Sequence, residues 1–239
     1  MTKKKKNRVF ILLGVLGIGS FIAVWLADED FIKMITEEDG IVENLSALFY
    51  LAGFSVCLFR ILKKTSGIRL WLYLWCFLCF VFLGEEMSWF QRFFNYPVLP
   101  FIKDLNEQGE VNLHNLNIFQ GGHWIGAISS KKYGLKMFLS SQNIFRLCFL
   151  LYFLVVPITI YAGKMKVLER KFRYPVPEPG FVVAIWSVLV LSFVLSVFSL
   201  DSIKSSIAET REMFYALFIF LYVLMYLRSS KNDSKTAID

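Results

Sequence analysis

A bundle of membrane-spanning α-helices is the fold class this sequence predicts, and three observations carry it. Of the 239 residues, 56% are hydrophobic, and they come in long runs that a water-exposed surface cannot absorb. Six of these runs are each near the length that crosses a bilayer core of about 30 Å. Basic residues gather in short clusters between the runs. The net charge of +7 is therefore a topology signal rather than a nucleic-acid footprint.

The runs predict an all-α polytopic bundle over residues 1–239 as one integral membrane domain, with spans at Val9–Ala27, Ile41–Leu62, Leu70–Phe90, Gln142–Ala162, Phe181–Leu200 and Glu209–Leu227. The first follows Lys3 to Lys6 and Arg8 and would suit a signal peptide. Its length of about 19 residues and the bulky Trp25 near its end favour a retained helix. Pro157 predicts a kink in the fourth span. Pro175-Val176-Pro177-Glu178-Pro179 reads as a stiff extended lead-in to the fifth. Ser192, Ser196 and Ser199 form a stripe that suits a close helix seam. The four cysteines, Cys57, Cys76, Cys79 and Cys148, all lie in apolar runs, so the Cys76-x-x-Cys79 spacing reads as helix packing rather than a redox or zinc motif.

Loop charge sets the orientation. With the N-terminus in the cytoplasm, 17 of the 26 basic residues fall on the inner side, and six spans return the C-terminus there. Of the 19 acidic residues, only Glu169, Glu178, Asp233 and Asp239 are inner. Acids have little influence on topology, so their bias points to a functional outer surface. The predicted location is a bacterial inner membrane.

The stretch Gly84-Glu85-Glu86-Met87-Ser88-Trp89-Phe90-Gln91-Arg92 is the focus. Two adjacent carboxylates end an apolar run, where an acid is disfavoured by roughly 2.5–3.5 kcal/mol and so needs a partner or a task. Read as continuous helix, Glu85, Trp89 and Arg92 share one face. Glu43 opens the second span, Glu209 and Glu212 the sixth, and Arg146, with Gln142 and Asn143, lies in the outer turns of the fourth. A structural salt bridge to Glu85, Glu86 or Glu43 suits Arg146 first, and binding of a phosphate or carboxylate second. For Glu43, Glu209 and Glu212 the plain alternative is a favourable place at a helix N-terminus. The long outer loop between the third and fourth spans carries Asn106 to Asn117, where polar residues alternate with Leu113, Leu116 and Phe119. That pattern suits a short interfacial or re-entrant helix, which would hang His114 over Glu85 and Glu86.

Gly84-Glu85-Glu86-x-Ser88-Trp89-x-Gln91-Arg92, followed by Asn106-x-Gln108-Gly109-Glu110-x-Asn112-Leu113-His114-Asn115, resembles an uncharacterised family of bacterial multi-pass membrane proteins. The resemblance implies a helical bundle in which these polar residues belong together. It implies no activity and no substrate.

These features support an enzyme at the outer face acting on a lipid or lipid-linked substrate. Glu85, Glu86 and His114 would be catalytic, and Arg146, Gln91, Arg92, Asn112 and Asn115 would bind substrate. A form dependent on a divalent metal would draw on Glu43, Glu86, His114, Glu209 and Glu212. Two other classes stay open. One is a subunit for assembly of an envelope complex, with a protein partner on the polar rim; the other is a sensor or transporter. A proton relay across the bilayer is disfavoured, because the inner halves of the spans lack ionisable residues.

Overall fold

A computed structural model describes residues 3–37, 40–63, 70–94, 96–98 and 141–235. The segment expected to form the long loop with its interfacial helix, His114, Asn112 and Asn115 included, lies outside the described residues.

The described residues are helical and unstranded: α1 Lys3–Leu26, α2 Glu29–Thr36, α3 Ile41–Leu62, α4 Leu70–Glu86, a 3-10 turn Ser88–Phe90, α5 Gln91–Phe94, α6 Ser141–Leu150, a π segment Leu151–Val155, α7 Val156–Tyr161, α8 Lys166–Phe172, α9 Pro179–Phe198 and α10 Asp201–Lys235. Five stretches are long and apolar enough to cross a membrane: Lys5–Leu26, Glu29–Leu62, Ser141–Tyr161, Pro179–Phe198 and Ile203–Arg228. The chain is thus a multi-pass helical membrane protein. The third expected span differs: α4 stops at Glu86 after 17 residues, a rise of roughly 25 Å. The loop expected after the first span holds a helix instead. Asp28 caps α2 by accepting from the N–H groups of Asp30 and Phe31, and Ile32 and Thr36, one turn apart, are its buried face.

The chain divides into two compact units, residues 1–80 with 167–239, and residues 81–166. In the first, α10 is the central helix. It packs on α3, α9, α2 and α1, with Ile207, Phe214, Phe218, Ile219, Tyr222 and Val223 buried along it. Paired rings fix the helix directions. Phe10 meets Phe181, and the Cβ a larger residue would add at Gly17 would lie 2.5 Å from Val188, so α1 and α9 run parallel and closely seamed. Phe49 stacks on Phe220, and Arg60 Nη2 donates to Leu227 O at 3.4 Å, so α3 and α10 are also parallel. Phe181 contacts Phe218 while Phe193 lies under Arg211, so α9 opposes α10.

These directions segregate charge. Lys6, paired with Glu178, and Arg60 share one end of the unit. Asp28, Glu43, Glu209 and Glu212 share the other. The outward faces of α1 (Ile11, Leu12, Val15, Leu16) and α9 (Val183, Val190, Val194, Val197) are exposed and apolar, which suits contact with acyl chains.

The proline-rich lead-in is tied down: Tyr222 donates its hydroxyl to Pro175 O, and Pro179 occupies the first turn of α9, where its missing N–H costs nothing. Just before it, α8 ends on Arg173, whose φ of 49° turns the chain so that Tyr174 N–H reaches Leu168 O at 3.2 Å. A non-glycine residue in this left-handed region costs about 1–2 kcal/mol. Cys57, Cys76 and Cys79 are buried, and Cys79 packs beside Gly53.

In the second unit, a ring ladder joins the last turns of α4 to α6. Phe82 to Phe145 is 5.3 Å, Phe145 to Phe149 6.0 Å and Phe149 to Phe153 4.5 Å between centroids. The expected disturbance at Pro157 takes a specific form. The helix widens to π geometry over Leu151–Val155 immediately before it, closed by Val156 N–H to Leu151 O. This accommodates the ring and the lost donor. α7 then ends on Gly163, φ 76°, with Lys164 N–H returned to Thr159 O at 2.9 Å, the usual glycine stop.

Candidate functional site

The stretch from Gly84 to Phe94 is a helix break with a left-handed turn built around one indole. After Met87, the residues Ser88, Trp89 and Phe90 all have positive φ, at 45°, 52° and 67°. Three successive L-residues there store strain that the surroundings must hold. Three contacts do so. The Trp89 ring lies flat over Gly84, where an added Cβ would sit 2.9 Å from Trp89 Cε3. Trp89 Nε1 donates to Glu85 Oε1 at 2.7 Å. Tyr96 donates its hydroxyl to Trp89 O at 2.9 Å.

Glu85 and Trp89, expected on one face of a continuous helix, do meet, but across a helix break: α4 ends at Glu86 and left-handed residues follow. Glu86 is the last residue of α4, half-buried, and Gln91 opens α5, half-buried. Arg92 lies on α5, and its side chain is outside the described set. In α6, Asn143 is buried. Arg146 is half-buried and donates to Gln142 Oε1, one turn back, at 3.4 Å. The expected salt bridge from Arg146 to Glu85 or Glu86 is not formed. Arg146 points instead along its own helix, so its charge stays available to an anion.

The first unit carries the other candidates. Taking Phe49 and Phe220 as level, Glu43 rises roughly 9 Å above that point, Glu212 roughly 12 Å and Glu209 roughly 16 Å, at 1.5 Å per residue. All three are half-buried at one end of the α3–α10 pair. Arg211 between them is buried, with its guanidinium 4.4 Å from the centroid of Phe193. That stacking gives a buried cation a favourable neighbour. Beside it, Thr36 donates its hydroxyl to Ser206 Oγ at 2.7 Å, and Thr210 donates to Ser206 O at 2.8 Å. These hydroxyls join α2 to α10 in a buried polar seam.

Among the described residues no three His, Cys, Asp or Glu side chains come together as a metal-binding group. Of the expected metal set, Glu43, Glu209 and Glu212 share one unit, Glu86 belongs to the other, and His114 lies outside the described residues. The sequence placed Trp89 on one face with Glu85 but gave no direct sign of the hydrogen bond between them. Gly84 was the available signal, since it is the small residue that lets the ring close down. The Thr36–Ser206 bond left no sequence signal, because its partners are 170 residues apart. Comparison with known protein families, curated proteins and solved structures finds no match.

Proposed function

We propose that the chain is a six-span bacterial inner-membrane protein, with both termini in the cytoplasm, that acts as an enzyme on a lipid or lipid-linked substrate at the outer face. The single observation that carries this is the hydrogen bond from Trp89 to Glu85 within a strained left-handed turn. A carboxylate at the end of an apolar helix, oriented by an indole and fixed by three left-handed residues, suits a preorganised site better than a helix end in water. Glu86, its neighbour, is the general base or acid, and Glu85 orients or holds the polar part of the substrate. Arg146 and Gln142 supply donors for a phosphate or carboxylate head group. His114 completes the site as a proton carrier.

α4, third in chain order, completes the six spans: its roughly 25 Å rise is extended by the turn after Met87, with the left-handed turn at headgroup depth. The orientation follows from the basic end of the first unit lying inside and the acidic end outside.

The test uses purified full-length protein incubated with a lipid extract of the native membrane, the products followed by mass spectrometry. Wild-type protein is expected to deplete one lipid class and form a product, and Glu86→Gln to fold normally and form none. Identical lipid profiles for wild type, Glu86→Gln and a protein-free control overturn the enzyme reading.

A further inference from the structure

We infer that α8 is a preorganised binding site for anionic phospholipid headgroups, at the end of the first unit opposite its acidic residues. Lys164, Lys166, Arg170, Lys171 and Arg173 fall within ten residues, with Glu169 as the one acid among them. All five cations are exposed, and among the described residues none of them forms an ion pair. Cations left without internal carboxylates are available to an external anion.

The same segment exposes apolar groups. Val167 is 65% and Phe172 55% exposed, and no residue of α8 is buried. Leu168 and Phe172 are one turn apart and share a face; Lys166 and Arg170 share another. A short helix of this kind, joining two membrane-crossing stretches, matches the headgroup layer: apolar side chains enter the acyl boundary and cations meet phosphates. An acidic protein surface would satisfy the charge but would leave Val167 and Phe172 without that boundary.

Two features make the site fixed. Trp71 Nε1 donates to Phe172 O at 2.7 Å, and the Trp71 ring meets buried Tyr174 edge-on at 5.5 Å, so the end of α8 is tied to α4. The helix then stops on an arginine in the left-handed region where α7 stops on glycine. The side chain at 173 is kept against the backbone's preference, which is what a charge with a task would require.

The experiment reconstitutes the full chain in nanodiscs of phosphatidylcholine with and without phosphatidylglycerol, then counts retained lipids by native mass spectrometry after transfer to detergent. Wild-type protein is expected to retain phosphatidylglycerol in preference to phosphatidylcholine, and to lose the preference as salt rises. Arg170→Gln with Lys171→Gln should weaken retention roughly fivefold per cation removed. Arg173→Gly separates charge from folding: it relaxes the backbone, so thermal stability should hold or rise while retention falls. Equal retention of both lipids by wild type, or undiminished retention in Arg173→Gly and the double variant, overturns the inference. Loss of a co-purifying acidic protein with lipid retention unchanged also overturns it. The outcome is independent of lipid turnover at Glu86.

Discussion

Trp89 Nε1 donates to Glu85 Oε1 at 2.7 Å within a turn of three residues with positive φ. A hydrogen bond to a charged acceptor is worth about 1.5–3 kcal/mol net. Trp89→Phe and Glu85→Leu should each lower stability by about that order. The double variant should lose clearly less than the sum, because both singles break one interaction. Unfolding titrations in mixed micelles over the four-protein cycle measure the coupling. Strict additivity would mean that the bond does not hold the turn.

Gly84 tests the same turn sterically. A methyl group there would meet Trp89 Cε3 at 2.9 Å, and the indole, held on its far side by the bond to Glu85, has little room to yield. Gly84→Ala is expected to destabilise by about 1–3 kcal/mol through overpacking and to shift the emission of Trp89 in a chain where it is the sole tryptophan. Unchanged emission and stability would contradict the stacking.

The buried pair Thr36–Ser206 anchors α2 to α10. Thr36→Val alone leaves a buried hydroxyl with one bond fewer, at about 1–3 kcal/mol. Adding Ser206→Ala removes the orphaned group, so the second substitution should cost less than it does alone. Hydrogen exchange over residues 29–36 reads the effect locally: α2 should exchange faster in either single variant.

Arg211 over Phe193 is a buried cation on a ring. Phe193→Leu should cost about 0.5–2 kcal/mol. Arg211→Lys should not restore the contact, since an ammonium lacks the flat guanidinium face. Equal stability of Arg211→Lys and wild type, measured by thermal unfolding in detergent, would show that only charge matters there.

The helices were legible from the sequence because membrane insertion demands long apolar runs, and Ser141–Tyr161 and Pro179–Phe198 lie within two residues of the spans read from composition. Pro157 foretold a disturbance but not its π form, which depends on how the lost donor is accommodated. The break after Glu86 was invisible, since Ser88, Trp89 and Phe90 carry no glycine to announce positive φ. The pairing of Glu85 with Trp89 was half legible: spacing put them together, while the geometry that joins them is tertiary. α2 was missed because its eight residues are too short to show a clear period against the charges around them. Arg146 shows the reverse error. The cost of a cation in a span suggested a carboxylate partner, and the side chain instead reaches Gln142 on its own helix.

The proposed topology has the carboxylate-bearing turn and the acidic end of the first unit facing outward while α8 faces the cytoplasm. A membrane-impermeant maleimide tests it in intact cells, on a chain whose four native cysteines are replaced by alanine and a single cysteine is returned at Asp30, Gln142 or Lys171, all exposed positions. Labelling of Asp30→Cys and Gln142→Cys in intact cells, with Lys171→Cys labelled only after permeabilisation, is the expected result. Labelling of Lys171→Cys from outside, or protection of Asp30→Cys and Gln142→Cys until the membrane is opened, would contradict it.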